Sequence, residues 1–234
     1  MANFDLTAFL SLAQGGSLSS WPMIAGIWVI CFLIGGIPFG FVAGKLNGMD
    51  IRTKGSGNIG ATNVFRTLGK GWGITVFVFD FLKAYMPLMV IQWLFDPSIR
   101  DSLPLPYDLF LLIAGVLTVL GHNYSPFLGF KGGKGMATSA GFLLALVPWS
   151  LLICFSTWLL LFLTTRYVSI ASIAAGLVLP IATFIFYPDQ YWMIGATVFL
   201  GLMSVWRHRS NIQRLMNGTE AKFEKKSKSK EAVS

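Results

Sequence analysis

The residues of this chain that could do chemistry fall into three clusters. Lys131-Gly132-Gly133-Lys134-Gly135 places two lysines among three glycines, giving a backbone with few side chains in the way, exposed N–H groups and fixed positive charge, as a phosphate or other anion requires. It reads as an anion cradle; the plainer reading is a flexible turn whose lysines mark the cytoplasmic side of a membrane. The stretch from Gly55 to Arg66, Gly-Ser-Gly-Asn-Ile-Gly-Ala-Thr-Asn-Val-Phe-Arg, is rich in donors and ends in a guanidinium whose planar fork suits a phosphate. Gly55, Gly57 and Gly60 match a dinucleotide fingerprint, but no strand precedes them and no βαβ unit surrounds them, so that match counts for little. A Walker A loop is excluded because Gly135 stands where Ser or Thr must follow Lys134. In the third cluster, Arg207 to Leu215, His208 and Asn211 share a helical face three residues apart. A histidine at the end of a span is, alone, more often an interfacial side chain than a catalyst. With two basic loops on the same side, a shared polyanionic ligand is the more economical account.

The elements that must position these clusters are membrane spans. Hydrophobic residues make up 54% of the 234, charged ones only 12%, and mean hydropathy is +0.65, too few polar groups to cover a water-soluble globule. The formal charge of +8 lies in short loops and the tail instead of forming a stripe, which points to anionic lipid and anionic substrates and away from nucleic acid. Cys31 and Cys154 sit inside apolar runs and imply neither a disulfide framework nor a metal site. Nothing in the chain calls for a metal or a cofactor.

Residues 1–20 contain Asp5 and no lysine or arginine, unlike the positive start of a signal peptide, and read as an extracytoplasmic lead-in. Spans are expected from about Trp21 to Gly44, Gly71 to Phe95, Leu109 to Leu120, Ser169 to Tyr187 and Tyr191 to Trp206. Asp80 and Lys83, inside the second, can neutralise each other on one face, as a functional or a structural pair. Asp96 to Asp108 reads as a Pro-rich loop. The uncharged run Met136 to Leu163, with Pro148 near its middle, fits one long span or two short ones. Two crossings put every basic loop on one face, so the positive-inside rule gives seven spans, N-terminus out and C-terminus in, with the pieces around Pro148 short or broken. Short, Gly/Pro-interrupted spans beside a cationic loop are where membrane proteins place binding sites. The chain divides into one membrane domain, 1–218, and a basic cytoplasmic tail, 219–234, expected to be disordered against the inner leaflet.

Gly55 to Arg66, Gly121 to Thr138 and Arg207 to Gly218 closely resemble the three signature motifs of the PlsY family of bacterial membrane acyltransferases, and the resemblance runs from about Gly35 to Gly218. It implies transfer of a fatty acyl group from acyl-phosphate to sn-glycerol 3-phosphate, giving lysophosphatidic acid and phosphate, at the cytoplasmic face of the inner membrane. An enzyme that makes acyl-phosphate is then expected upstream. It also implies that Ser56, Asn58, Arg66, Lys134, Ser172, His208 and Asn211 contact substrate phosphates, that Gly132 and Gly133 offer backbone N–H groups, and that Lys134, His208 and Asn211 are the catalytic members. Arg166 to Ser172 matches the further family segment that supplies the serine. The longer N-terminal lead and the lysine-rich tail depart from the family without touching a motif. No Ser/His/Asp arrangement is evident, so the base is a substrate phosphate oxygen, the preferred reading, or His208. An anion transporter accounts for spans and cationic loops equally well but requires charge along a through-path. A purely structural protein leaves the motifs without a purpose.

Overall fold

A computed structural model describes residues 21–223; the lead-in 1–20 and the tail from 224 onward lie outside the described residues. Among these the chain is all-helical. In order, α1 is Trp21–Gly36, α2 Phe39–Leu46, α3 Ala61–Leu68, α4 Lys70–Leu94, α5 Pro97–Asp101, α6 Tyr107–Asn123, α7 Met136–Leu146, α8 Pro148–Thr165, α9 Val168–Phe186, α10 Tyr191–Arg207 and α11 Arg209–Met216.

Five helical stretches are long and apolar enough to cross a bilayer: Trp21–Leu46 (α1 with α2), Lys70–Leu94, Tyr107–Leu128, Pro148–Thr165 and Val168–Phe186. Val29, Leu33, Leu160, Leu163, Ile185 and Leu202 are exposed, as lipid permits and water does not. The run around Pro148 breaks as its sequence demands: α7 ends at Leu146, and Pro148 opens α8 at the position where its missing N–H costs nothing. At 1.5 Å per residue the 11 residues of α7 reach about 16 Å, roughly half a hydrocarbon core. The expected loop from Asp96 to Asp108 instead carries the short α5, capped by the Asp96 carboxylate accepting from the Ile99 N–H at 3.0 Å.

Helices pack in the pairs α1 with α6, α4 with α7, α8 with α9 and α9 with α10. Small residues let the backbones meet. A Cβ on Gly121 of α6 would run into the Phe32 carbonyl of α1, and one on Gly141 of α7 into the Phe81 carbonyl of α4. Close backbone approach is how helices gain packing where lipid removes the hydrophobic drive between them. The resulting core, with Phe110, Phe142, Leu88 and Ile24 fully buried, fixes α4, α6 and α7 around the residues of interest.

Candidate active site

The loop from Gly55 to Gly60 has almost no regular structure, so side chains must shape it. Asn63, in the first turn of α3 and 2% exposed, does so. Its Nδ2 donates to the carbonyls of Asn58 (2.8 Å) and Lys54 (3.1 Å), while its Oδ1 accepts from the Ser56 N–H (2.9 Å). The Asn58 Oδ1 takes the Gly60 N–H at 2.8 Å.

The glycine-lysine loop is anchored from both sides. Gly133 N–H donates to the His122 carbonyl (3.0 Å) and Gly132 N–H to that of Asn123 (3.2 Å), at the end of α6. Their own carbonyls accept from Arg207, Nη2 to Gly132 at 3.0 Å and Nε to Gly133 at 3.1 Å. The expectation that these two glycines offer N–H groups to a phosphate is therefore corrected: both amides are engaged by protein acceptors. The glycines are needed for close approach, because a Cβ on Gly132 would strike the His122 carbonyl and one on Gly133 the His122 ring. Gly135 supplies the left-handed turn (φ +80) that starts α7. The first-turn N–H groups of α7, which follow Lys134, have no acceptor within the helix.

Lys134 Nζ donates to Asn211 Oδ1. Burial pushes its ammonium down to about 8, with Glu220 opposing and Arg214, Arg207 and Arg66 adding to the depression. His208, the first residue beyond α10 and 3% exposed, gives Nδ1 to the Ser204 carbonyl at 2.8 Å; a carbonyl can only accept, so Nε2 carries the lone pair. Burial, then the Lys134 charge, hold this imidazole at about 4, so it is neutral at pH 7 and a weak base. Ser172, 2% exposed on α9, accepts from Trp158 Nε1 at 3.2 Å.

Residues 219–223, which the sequence places with a disordered tail, run across this cluster. Glu220 takes the Asn211 Nδ2 at 2.6 Å and the Arg214 Nε at 2.7 Å. Burial alone would raise its pKa, but hydrogen bonds led by Asn211 hold its carboxyl below the ordinary range. Arg66 Nη2 donates to the Ala221 carbonyl at 3.0 Å, the Phe223 N–H to the Arg166 carbonyl at 2.8 Å, and the Phe223 ring packs on Phe65 and Phe162.

All of this surrounds one cavity of about 530 Å³. Its polar wall holds Ser56, Asn58, Arg66, Lys134, Ser172, His208 and Asn211, seven of the nine residues expected from sequence; Gly132 and Gly133 do not line it. Its other wall is apolar, with Phe77, Leu143, Leu151, Phe155, Trp158 and Leu179. Sequence reasoning missed Asn63, Arg207, His122 and Glu220. Asn63, Arg207 and His122 sat within the three motifs and Glu220 two residues beyond the last; Arg207 and Glu220 carried a charge signal, Asn63 and His122 none. Among the described residues no group of His, Cys, Asp and Glu could hold a metal ion.

The sequence matches the family described as glycerol-3-phosphate acyltransferase over residues 25–218. Glycerol-3-phosphate acyltransferases of Thermosipho melanesiensis and Aquifex aeolicus are 44% and 42% identical to it, over 82% and 83% of this chain and 89% and 96% of theirs. The crystal structure of PlsY (YgiH), an integral membrane glycerol 3-phosphate acyltransferase, in its glycerol 3-phosphate form, superposes with a TM-score of 0.77 at 40% identity. That match covers 86% of this chain and 96% of the other; the lysophosphatidic acid form gives a TM-score of 0.74.

Proposed function

The chain belongs to the glycerol-3-phosphate acyltransferase family, and from that premise we propose that it moves a fatty acyl group from acyl-phosphate to sn-glycerol 3-phosphate, giving 1-acyl-sn-glycerol 3-phosphate and inorganic phosphate. The observation that carries this reading is the cavity with two kinds of wall. A cationic, hydroxyl-rich wall suits two phosphates, and the apolar wall continuous with it suits an acyl chain. A transporter of small anions has no use for the second wall.

An acyl-phosphate is a mixed anhydride with a good leaving group, so the enzyme's work is to hold two charged phosphates and align a hydroxyl with a carbonyl. The hydroxyl oxygen of glycerol 3-phosphate forms the new bond to the acyl carbon, the bond from that carbon to the phosphate oxygen breaks, and the hydroxyl proton passes to a phosphate oxygen. Oriented attack alone is worth up to roughly 7 to 11 kcal/mol. Lys134 and Arg66 neutralise phosphate charge; Asn211 holds Lys134 in place; Ser56, Asn58 and Ser172 add neutral polar contacts. An arriving phosphate replaces the Ala221 carbonyl on Arg66. His208 presents an acceptor at Nε2, yet an imidazole held at about 4 is a poor base at neutral pH. That supports the substrate phosphate as proton acceptor.

The positive-inside distribution supports seven crossings, with α7 and α10 as the shorter members, the N-terminus outside and this site facing the cytoplasm across the bacterial inner membrane. Residues 1–218 then form the membrane domain, with the basic tail beyond. The donor is consumed as a reactive anhydride, so an acyl-phosphate-forming enzyme precedes it. The test is direct: purified protein in detergent receives glycerol 3-phosphate with either acyl-phosphate or acyl-coenzyme A. Lysophosphatidic acid and stoichiometric phosphate from acyl-phosphate alone are expected; product from the thioester alone overturns the donor assignment.

A further inference from the structure

Three buried groups that the proposed reaction does not use meet beneath the glycine loop. Asp80 and Lys83, on one face of α4, are 2% and 5% exposed and pair at 2.7 Å. Lys83 Nζ lies 2.9 Å from the Ile37 carbonyl at the break between α1 and α2, and 2.9 Å from Nδ1 of His122 on α6. An ammonium has three hydrogens and no lone pair, and here it meets three acceptors. The Asp80 carboxylate balances its charge, which is how such a pair persists in apolar surroundings.

The consequence falls on His122. Its Nδ1 faces a group that can only donate, so Nδ1 accepts and the ring proton resides on Nε2. Asp80 Oδ1, at 3.5 Å from Nδ1, is too far to reverse this. The imidazole is 4% exposed and lines the cavity, with Nε2 against Gly133, one residue before Lys134. Among the described residues no group accepts a hydrogen bond from Nε2. A ring N–H without a protein acceptor, on a residue that lines the cavity, is left to donate to what the cavity binds, and the species expected there are rich in acceptor oxygens.

We propose that His122 is a further substrate-contacting residue, donating from Nε2 to a phosphate oxygen of the bound substrate, with Asp80 and Lys83 as positioning residues that fix its tautomer. This rests on the acyl-transfer reading of the cavity. It gives the substrate phosphate a neutral donor beneath Gly133, alongside the charged donor of Lys134. It also gives the Asp80–Lys83 pair a purpose beyond packing.

Two experiments test it. Glutamine places an amide near the Nε2 position, whereas asparagine places one near Nδ1, where it can still accept from Lys83. His122→Gln, which keeps a donor at the Nε2 end, should lose clearly less kcat/KM than His122→Asn, which should lose tenfold or more at an unchanged melting temperature. Wild-type kinetics in His122→Asn, or equal losses in both variants, overturn the proposal. The second experiment uses the unaltered protein. The chain has two histidines, so ¹⁵N-histidine labelling in detergent gives two imidazoles, separated by His208→Gln. The His122 ring should be protonated on Nε2, and that N–H signal should shift on saturation with glycerol 3-phosphate or with an acyl phosphonate, whichever phosphate it serves. A proton on Nδ1, or no shift with either compound, overturns the contact. Lysophosphatidic acid formation by the wild type is scored separately, so loss of this contact and loss of the acyl-transfer reading remain distinct results.

Discussion

The pH dependence of Lys134 tests whether a placed ammonium runs the reaction. Burial, reinforced by Arg214, Arg207 and Arg66 against the opposing Glu220, brings it down to about 8. The sign follows: the charged form, which binds phosphate in the proposed reaction, is present below that value and is lost as pH rises through it. About 90% of the lysine is charged at pH 7 and about 10% at pH 9, given one decade per unit. In the free enzyme kcat/KM should therefore fall about tenfold per pH unit above 8. A bound phosphate favours the ammonium, so the limb in kcat should lie higher. Lys134→Arg, whose guanidinium stays charged, should retain partial activity and lose the limb. Lys134→Ala should cost at least about 100-fold, since removing one partner of a desolvated charge pair costs roughly 2 to 5 kcal/mol, while Lys131→Ala should be milder. The assay is phosphate release from acyl-phosphate between pH 7 and 10 in detergent. A limb that stays at pH 8 in Lys134→Arg, or equal losses at the two lysines, would refute the reasoning, because the loop would then act through bulk charge.

Other expectations address neighbouring links. Arg66→Lys keeps a charge but loses the planar fork, so KM for glycerol 3-phosphate should rise and kcat/KM fall by on the order of tenfold; unchanged steady-state constants for both substrates would make this arginine a topology marker. Asn63→Ala removes the side chain that ties Ser56, Asn58 and Lys54 together, and should lower the melting temperature in detergent and raise KM together, with a cost of about 1–3 kcal/mol from buried groups left unpaired; loss of activity with no change in melting would show that Asn63 acts on substrate directly. Cysteines placed at Thr53 and near Arg166 should be protected from an impermeant thiol reagent in intact cells while one at Ser102 is labelled; labelling at Arg166 would remove the second crossing around Pro148.

The positions of the apolar helices were legible because hydropathy and charge are properties of a segment taken by itself. The helix expected from Gly71 is α4 from Lys70, the one expected from Ser169 is α9 from Val168, and the one expected to end at Trp206 ends at Arg207. The convergence of Ser56, Arg66, Lys134, Ser172, His208 and Asn211 on one cavity was legible through the resemblance of three motifs, not through periodicity. What stayed hidden depends on partners distant along the chain. Glu220 reads as the start of a solvated tail until its carboxylate is set against Asn211 and Arg214. Asn63 reads as one more polar loop residue until its amide is seen closing the turn.

The glycine loop shows how a correct location can come with an incomplete reason. Glycine next to lysine suggested amides bared for an anion, but two requirements produce the same letters. A backbone that must lie against another backbone also excludes a Cβ, and Gly132 and Gly133 meet the His122 carbonyl and ring in that way. With their N–H groups held by α6 and their carbonyls by Arg207, the two glycines form a pinned splice between helices instead of a flexible cradle. Rigidity there has a chemical use. Lys134 and the start of α7 follow immediately, so the position of the ammonium and of the free first-turn amides is inherited from α6 and α10 and not set by the loop's own dynamics. In the proposed reaction a preorganised cation needs no rearrangement when charge moves from the acyl-phosphate to the departing phosphate, and mobility in this loop would forfeit that advantage.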